Sequence, residues 1–296
     1  MPNRNYLLSF LVILGLGSMA TPALGQALIP HTLQLDSAHL EKQGLFLAQE
    51  AYQLAQFQQF ELAMPRARLA TQLASKNYKA WTILGGLYLQ TNKYNESIAA
   101  LQKAQTLAPK EPSILFLIGS ANFQQGNYNK AIESLQAGLR LKPNDPQGLF
   151  DLANTYYKIG KLPEAIATYN KAVVQPNWEK WPAINNIGLI RYEQGNVDEA
   201  LKQWRAAVSI EKQAAEPLMA MAVALYNKGD REQGLKMGEA AIKIDGRYGD
   251  LEFLKQNLWG DRLLSATKKF LQAPRIQASL QNRSSQPEQQ IQLVPQ

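Results

Sequence analysis

The sequence predicts an all-α fold: a solenoid of about six helix-turn-helix repeats followed by a C-terminal capping helix pair. The first observation behind this prediction is that small residues recur in three parallel series, each with the spacing 34, 34, 34, 35 and 34. A fixed period in this range indicates one supersecondary unit that is repeated and stacked on its neighbours. The three series are Ala51, Gly85, Gly119, Ala153, Gly188 and Ala222; Ala63, Ser97, Ala131, Ala165, Ala200 and Gly234; and Ala70, Ala104, Gly138, Ala172, Ala207 and Ala241.

The second observation is the alternation of apolar helical faces and polar turns, which the unit 78–111 shows most completely. Trp81 and Leu84 share one helical face, the polar turn 91–93 follows, and Leu101 lies on a second face. Glycine in the corresponding turns of later units supplies the left-handed backbone that ends a helix. The recurring small residues have a packing reason, because two helices that cross at about 8–10 Å leave little room for a larger side chain. Each unit is therefore predicted to be a pair of packed helices.

The unit 78–111 resembles the tetratricopeptide repeat (TPR) family. Its residues at the eight signature places of that family are Trp81, Leu84, Gly85, Tyr88, Ser97, Leu101, Ala104 and Pro109. Ser97 stands where the family usually has alanine, and Leu101 stands where it usually has an aromatic residue. The resemblance extends over residues 44–248, and it implies a right-handed superhelical solenoid.

The predicted organisation of the chain has five parts. The ranges are 1–25 for a signal peptide, 26–43 for a linker and the start of the first helix, 44–248 for six TPR repeats (44–77, 78–111, 112–145, 146–180, 181–214 and 215–248), 249–272 for capping helices, and 273–296 for a disordered tail. The capping helices are expected to break at Gly260 and to cover the sixth unit, with a partner-binding amphipathic helix as the alternative. The tail is rich in Gln and Ser and lacks helical periodicity, so a solvated tail is expected, with a short interaction segment as the alternative.

The N-terminus has the pattern of an export signal. Arg4 precedes the uncharged apolar stretch 6–20, and a cleavage site is predicted after Gly25 or Ala27. This stretch is shorter than the roughly 20 residues that a membrane-spanning helix needs. We therefore expect an exported protein of the periplasm or the thylakoid lumen. The alternative is a membrane anchor formed by an uncleaved segment 6–20, which is the only expected route to membrane association.

The chain lacks the residues that most enzyme and metal sites require. It contains no cysteine, which excludes disulfides, thiolate metal sites and thiol catalysis. His31 and His39 match no metal-ligand spacing, and no nucleophile, phosphate-binding or dinucleotide-binding motif is present. The formal net charge of +7 is scattered along the chain, which disfavours nucleic-acid binding. We predict a non-enzymatic protein without a metal or a cofactor.

The resemblance also implies where a ligand binds. In TPR proteins the first helix of each unit lines a concave face, and fixed places of that helix commonly point at the ligand. The matching residues are Tyr52, Lys79, Thr82, Phe116, Ser120, Phe123, Gln124, Gln147, Phe150, Asn154, Tyr157, Lys158, Asn185 and Tyr192, with Glu193, Met219, Tyr226 and Asn227 at the same places of the last two units. Aromatic and amide side chains of this kind bind an extended peptide, so a protein or peptide partner is predicted. For Phe116 and Phe150 the alternative is packing between neighbouring helices.

One branch of the family grips a C-terminal carboxylate with cationic and asparagine side chains. In units four to six Asn154 and Asn186 stand at the asparagine places, whereas Phe150, Glu216 and Ala220 stand at the cationic places. Glu216 reverses the charge and would repel a carboxylate. Docking of this kind is therefore disfavoured.

The joint between units four and five holds the extra residue of the repeat. Its segment 175–182 contains two prolines and two tryptophans, Trp178 and Trp181. The insertion is expected to change the angle between the two halves of the solenoid. The tryptophans either fill the gap that the insertion leaves or form an exposed anchor for a partner.

Together these features predict an exported, non-enzymatic scaffold that binds protein segments in its concave groove and aids the assembly or organisation of an envelope or membrane complex. The leader, the lack of cysteine, the Gln-rich tail and the segment 258–264 resemble exported TPR proteins of photosynthetic bacteria. The alternatives are a photosynthetic-complex assembly factor, a membrane-tethered adaptor and an accessory regulator of cell-wall enzymes.

Overall fold

The computed structural model describes residues 36–284. The predicted signal peptide, most of the predicted linker and the end of the tail lie outside the described residues. Within the described range the chain is helical and has no β-strand. A short 3-10 helix, Gly246–Gly249, precedes α13. The α-helices are α1 (Ser37–Gln56), α2 (Phe60–Leu73), α3 (Tyr78–Gln90), α4 (Tyr94–Leu107), α5 (Pro112–Gln124), α6 (Tyr128–Leu141), α7 (Pro146–Lys158), α8 (Leu162–Val173), α9 (Trp181–Glu193), α10 (Val197–Ile210), α11 (Ala215–Lys228), α12 (Arg231–Ile244), α13 (Leu251–Gln256), α14 (Asp261–Phe270) and α15 (Pro274–Ser284).

The first twelve helices form six consecutive pairs, α1–α2 to α11–α12, and each pair packs against the next. The prediction of an all-α solenoid of about six helix-turn-helix repeats is confirmed.

Local sequence explains where the helices begin and end. At the start of α7 the Asp145 carboxylate accepts the N–H of Gly148 at 2.8 Å, and Pro146 occupies the first turn. In the turns between paired helices the backbone takes the left-handed conformation that ends a helix, at Gly160 with a φ of 77° and at Asn92 with a φ of 58°.

The recurring small residues lie where the two helices of a unit touch. A β-carbon on Gly85 would approach the Leu101 side chain to 2.5 Å, and one on Gly188 would come within 2.4 Å of Trp204 Nε1. No larger residue fits these positions unless a neighbour moves. Ser97 stands in the place of alanine, and its buried hydroxyl donates to the Gly85 carbonyl at 2.8 Å. Early and late units therefore share the same internal packing.

The joint between units four and five is longer than the other joints between units. α8 has 12 residues whereas α10 has 14, and α9 begins only at Trp181. Asn177 within the joint has a φ of 53°. The Trp178 ring lies 5.7 Å from the ring of Phe150, so this tryptophan packs against the fourth unit. Trp178 therefore fills the gap that the insertion leaves, which is the first of the two roles considered for the tryptophans.

Three α-helices follow the sixth unit. α13 and α14 correspond to the predicted capping pair, and Gly260 directly precedes α14. The prediction of a disordered tail from residue 273 is wrong for Pro274–Ser284, which forms α15 and packs against α12. Two interactions explain this helix: Ile276 is fully buried, and Arg275 pairs with two glutamates of α12 at 2.8 and 2.9 Å. The polar composition of the tail concealed these anchoring residues.

Candidate functional site

The first helices of the units line one side of the stack. In the part of the chain that the structure describes, α1 contacts α3, α3 contacts α5, α5 contacts α7 and α9 contacts α11, whereas the second helices of neighbouring units make no comparable contact. The closer approach of the first helices places them on the inner, concave side. Between α7 and α9 a hydrogen bond joins the two helices, from Asn186 Nδ2 to Asn154 Oδ1 at 3.0 Å.

The residues predicted to bind a peptide fall into three groups by their exposure. The exposed ones are Tyr52, Lys79, Gln124, Gln147 and Lys158. The half-buried ones are Thr82, Phe116, Ser120, Phe123, Phe150, Asn154 and Tyr157. Asn185 and Tyr192 are buried, with exposures of 0% and 3%. Of the matching residues in the last two units, Met219 is fully buried, Glu193 and Tyr226 are half-buried, and Asn227 is exposed at the end of α11. Most of the accessible predicted residues therefore belong to units one to four.

Phe116 and Phe150 hold neighbouring helices together. The Phe116 ring fills the space beside Gly138 and Gly148, and a β-carbon on either glycine would lie 2.5 Å from it. The Phe150 ring packs 5.7 Å from a tyrosine ring of α8 and 5.7 Å from a tryptophan ring of the following joint. Packing between helices, the alternative weighed for these two residues, is thus their principal role. Polar side chains make up most of the remaining accessible wall.

Asp151 is a groove residue that the sequence analysis missed. Its carboxylate accepts hydrogen bonds from the Ser120 hydroxyl at 3.0 Å and from Gln147 Nε2 at 2.8 Å, and so links α5 to α7. Burial raises the pKa of Asp151 to about 6, although these two hydrogen bonds oppose the shift. Asp151 does not stand at one of the family's ligand places, so the resemblance did not select it. An acidic residue among apolar and amide neighbours was the only signal in the sequence.

Asn154 belongs to a buried network that connects α7, α8 and α9. Its Oδ1 accepts hydrogen bonds from the hydroxyl of Tyr169, which is fully buried, and from Asn186 Nδ2. The side chain of Asn186 in turn accepts a bond from Asn185 Nδ2 at 3.1 Å. The network fixes the orientation of Asn154 and occupies its oxygen. The Asn154 amide nitrogen donates to no other group in the described range, which leaves it available to a guest.

The C-terminal segment crosses the concave wall of the last two units. α14 packs against both α11 and α9, the first helices of units six and five. The Trp259 indole donates to Glu216 Oε1 at 3.0 Å, and the Glu193 carboxylate accepts the backbone N–H groups of Arg262 and Leu263 at 3.1 and 2.9 Å. A carboxylate at this place complements the unpaired N–H groups and the dipole of the α14 N-terminus. The chain itself therefore covers the wall of units five and six.

The C-terminal segment that covers this wall, called the cover below, encloses two residues that were predicted to contact a peptide. The prediction is wrong for Asn185 and Tyr192. Tyr192 lies beneath the Arg262 guanidinium, 5.4 Å from the ring centroid, and its other neighbour is the Trp204 ring at 5.9 Å. Asn185 is fully buried, and its side-chain amide donates to Asn186 Oδ1 at 3.1 Å. Both predicted residues face the inner wall of unit five, but the C-terminal helices enclose that part of the wall.

The cover is part of the hydrophobic core. Leu254, Trp259, Leu263, Phe270 and Ile276 are all 3% exposed or less. Burial of one large apolar side chain stabilises a protein by about 1.5–3 kcal/mol, so five of them hold the segment firmly. The C-terminal helices thus form part of the wall of units five and six, whereas most of the open wall lies in units one to four.

Glu216 lies on α11 in the sixth unit, where it contacts the C-terminal segment through Trp259. Burial raises the pKa of its carboxyl group to about 7, and the hydrogen bonds from the Trp259 indole and from Asn185 only partly oppose the shift. No group of three or more His, Asp or Glu residues in the described range is arranged to hold a metal ion. None of the described helices combines the length and apolar character needed to cross a membrane.

Two family models match this sequence. The model described as the cytochrome c-type biogenesis protein H TPR domain matches residues 31–177, and the TPR repeat model matches residues 188–229. Together the two matches span more than half of the chain. The protein belongs to the tetratricopeptide repeat family. No curated protein matches this TPR protein.

Solved structures with a similar fold are also TPR solenoids. The structure of the Cut9–Hcn1 hetero-tetramer of the APC/C has a TM-score of 0.63 and 16% identity, covering 79% of this chain and 45% of that chain. PilF of Pseudomonas aeruginosa has a TM-score of 0.60 and 15% identity, covering 74% and 98%. The TPR protein TTC0263 of Thermus thermophilus has a TM-score of 0.53 and 16% identity, covering 62% and 98%. At these identities the similarity shows the fold alone.

Proposed function

We propose that this TPR protein is a non-enzymatic scaffold that binds an extended segment of a partner protein along the open concave wall of units one to four. The observation that carries the proposal is the contrast along the wall: α3, α5 and α7 keep exposed polar side chains, whereas α9 and α11 are covered by the chain's own helices. A guest segment therefore has one continuous surface to occupy.

The side chains of this surface suit the backbone of a peptide. The amide groups of Gln124, Gln147 and Asn154 offer both donors and acceptors, and they are spread over α5 and α7. Asn154 is already held in place by its buried network, so it binds without losing much rotamer freedom. Lys79 on α3 and Lys158 on α7 add two exposed cations to this wall.

The proposed setting is the cell envelope, where the scaffold would serve the assembly or organisation of a membrane complex. The N-terminal pattern of an export signal supports this location, and the match to the TPR domain of a cytochrome c-type biogenesis protein supports an assembly role. A membrane-tethered adaptor is the second candidate, favoured by the apolar stretch 6–20. The intact mass of the exported protein distinguishes them, because cleavage near residue 25 contradicts the tether and retention of Met1 contradicts secretion.

Groove binding is tested by partner capture from the native envelope, with cross-linking and mass spectrometry, followed by titration of the identified partner. The groove variant is Lys79→Ala, Gln124→Ala, Gln147→Ala and Lys158→Ala. The control variant alters exposed residues of the second helices: Gln102→Ala, Lys103→Ala, Lys130→Ala and Lys171→Ala. The groove variant is expected to lose capture while its thermal unfolding stays cooperative, and the control is expected to retain capture. Equal capture by both variants would refute this placement of the site.

A further inference from the structure

A broad cleft, called the edge cleft below, lies along the edge of the solenoid where one unit joins the next. Its wall is formed by α15, by the 3-10 helix that follows α12, and by the turns that precede α9 and α11. None of the residues predicted to contact a peptide lines it. The cleft has a volume of about 1950 Å³, whereas small-molecule sites usually measure about 300–1,000 Å³. It is therefore large enough for a segment of polypeptide.

Part of the wall of the edge cleft is apolar. The half-buried apolar side chains that line it are Trp181, Ile244, Tyr248 and Leu280. Trp181 is the second tryptophan of the joint between units four and five, and its indole donates to Glu179 Oε1 at 2.8 Å. A tryptophan that is held in place and lines a cleft suits the second role considered for the tryptophans, an anchor for a bound segment.

The last helix delivers the rest of the chain to this cleft. Arg283, in the last turn of α15, lines the cleft, and its guanidinium donates to the Ile242 carbonyl at 2.6 Å. Ile291 follows eight residues later, and eight extended residues span at most about 28 Å. α11 contacts both the 3-10 helix and α9, and packed helices lie about 8–10 Å apart. Trp181, at the start of α9, is therefore within reach of the segment.

The segment 285–296 matches the edge cleft in apolar character and in charge. Ile291 and Leu293 alternate with glutamine, so in an extended conformation both side chains point to one side. Glu288 is the only charged residue of the segment. Lys243 is an exposed residue of the cleft and belongs to no ion pair in the part of the chain that the structure describes.

We propose that the edge cleft binds the chain's own segment 285–296 in an extended conformation, with Ile291 and Leu293 on the apolar wall and Glu288 beside Lys243. Because the segment is tethered at α15, its effective concentration at the cleft is in the millimolar range. The tether favours it over a free peptide or a second copy of the chain. The inference does not rest on peptide binding in the open groove, because the two surfaces share no residue.

A distance measurement between two spin labels tests the proposal in the full-length protein. The labels are attached at Lys212→Cys, in the turn beside the cleft, and at Gln292→Cys, between the two apolar residues of the segment; the natural chain has no cysteine to interfere. We expect one narrow distance distribution, because the docked segment fixes the second label. A broad distribution, as for a segment free in solvent, would overturn the proposal and leave the cleft to another protein.

The apolar contacts are tested by the variant Ile291→Ser with Leu293→Ser. It is expected to lower the ratio of docked to free segment, measured as the narrow and broad parts of the distribution, by about tenfold or more. The matched control, Gln286→Ser with Gln290→Ser, alters polar positions of the same segment and is expected to keep the parent ratio. An equal fall in both variants, or a fall in neither, would contradict docking on the apolar wall.

The charge contact is tested by exchanging its two partners. Lys243→Glu is expected to lower the ratio of docked to free segment by about two- to fivefold, the range for an exposed ion pair, and the addition of Glu288→Lys is expected to restore it. Absence of this rescue would contradict the proposed placement of Glu288. Protein labelled only at Gln292→Cys provides the last control, since a dipolar signal between molecules would place the segment in the cleft of a second copy and overturn docking within one chain.

Discussion

The wall of units one to four and the wall of units five and six are built from the same repeat, yet only the first is open to a guest. Gly85 and Gly188 occupy equivalent packing positions in the two regions, and both are closed over by a large side chain of the second helix. The difference arises from the segment that follows the repeats, which Glu193 of unit five and Glu216 of unit six hold through hydrogen bonds with Leu263 and Trp259. The sequence of a repeat therefore determines how its two helices pack. Contacts with distant residues determine whether the inner face of that repeat is open to a guest.

The largest effect is expected from breaking the closed region. Leu263→Ala removes a fully buried side chain from the contact between α14 and the last units, and it is expected to lower the free energy of unfolding by about 2–5 kcal/mol. Leu62→Ala in the first unit is the control, because Leu62 is 52% exposed and its loss leaves no cavity. Denaturant unfolding measures both. Losses of equal size would show that the cover is only loosely attached.

The covered region is expected to respond to pH through Glu216, which contacts the C-terminal segment. The pKa of Glu216 is raised to about 7 in the folded protein, above the value of about 4.3 for an unfolded chain. The folded state thus binds more protons than the unfolded state between these values, and the free energy of unfolding falls as the pH rises through this window. Glu216→Gln is expected to raise stability by about 2–3 kcal/mol at about pH 8 and to change little at about pH 4.

Unfolding of the Glu216→Gln variant at several pH values checks this expectation. Glu133→Gln, at an exposed position of α6, is the control and is expected to follow the parent curve. A parent protein whose stability rises between about pH 5 and about pH 8, with Glu216→Gln parallel to it, would contradict the assigned environment of this carboxyl group.

Smaller effects are expected where the two regions are alike. Gly85→Ala and Gly188→Ala each force a β-carbon against Leu101 or Trp204, and each is expected to cost about 1–3 kcal/mol of unfolding free energy. Gly86→Ala is a control at the adjacent position, where nothing lies within 4 Å, and it is expected to stabilise the helix by about 0.5–1 kcal/mol. If only one of the two tight glycines were sensitive, the packing would not be equivalent in the two regions.

The repeat pattern was predictable because its causes are local. Helix starts such as Asp145-Pro146 and the small residues at Gly85 and Gly188 are set by neighbours within one unit or the next. The groove was predictable only in part, since the family's ligand places located Gln147 and Asn154 but omitted Asp151.

What the sequence did not reveal depends on contacts between distant residues. Glu193 meets the backbone of Leu263 across 70 residues, and no period or motif connects these positions. Without that contact Asn185 appeared to be a groove residue. α15 was missed for a similar reason: its polar composition masked Ile276, whose burial depends on the surface of α12.

Thiol accessibility tests the central contrast most directly, because the natural chain has no cysteine to interfere. Gln147→Cys places a thiol in the open region, and Met219→Cys places one at a ligand-facing place of the sixth unit that is 0% exposed. We predict that the first reacts nearly as fast as in denaturant, whereas the second reacts slower by about 100-fold or more because it requires opening of the cover. Similar rates at the two positions in the folded protein would contradict the account.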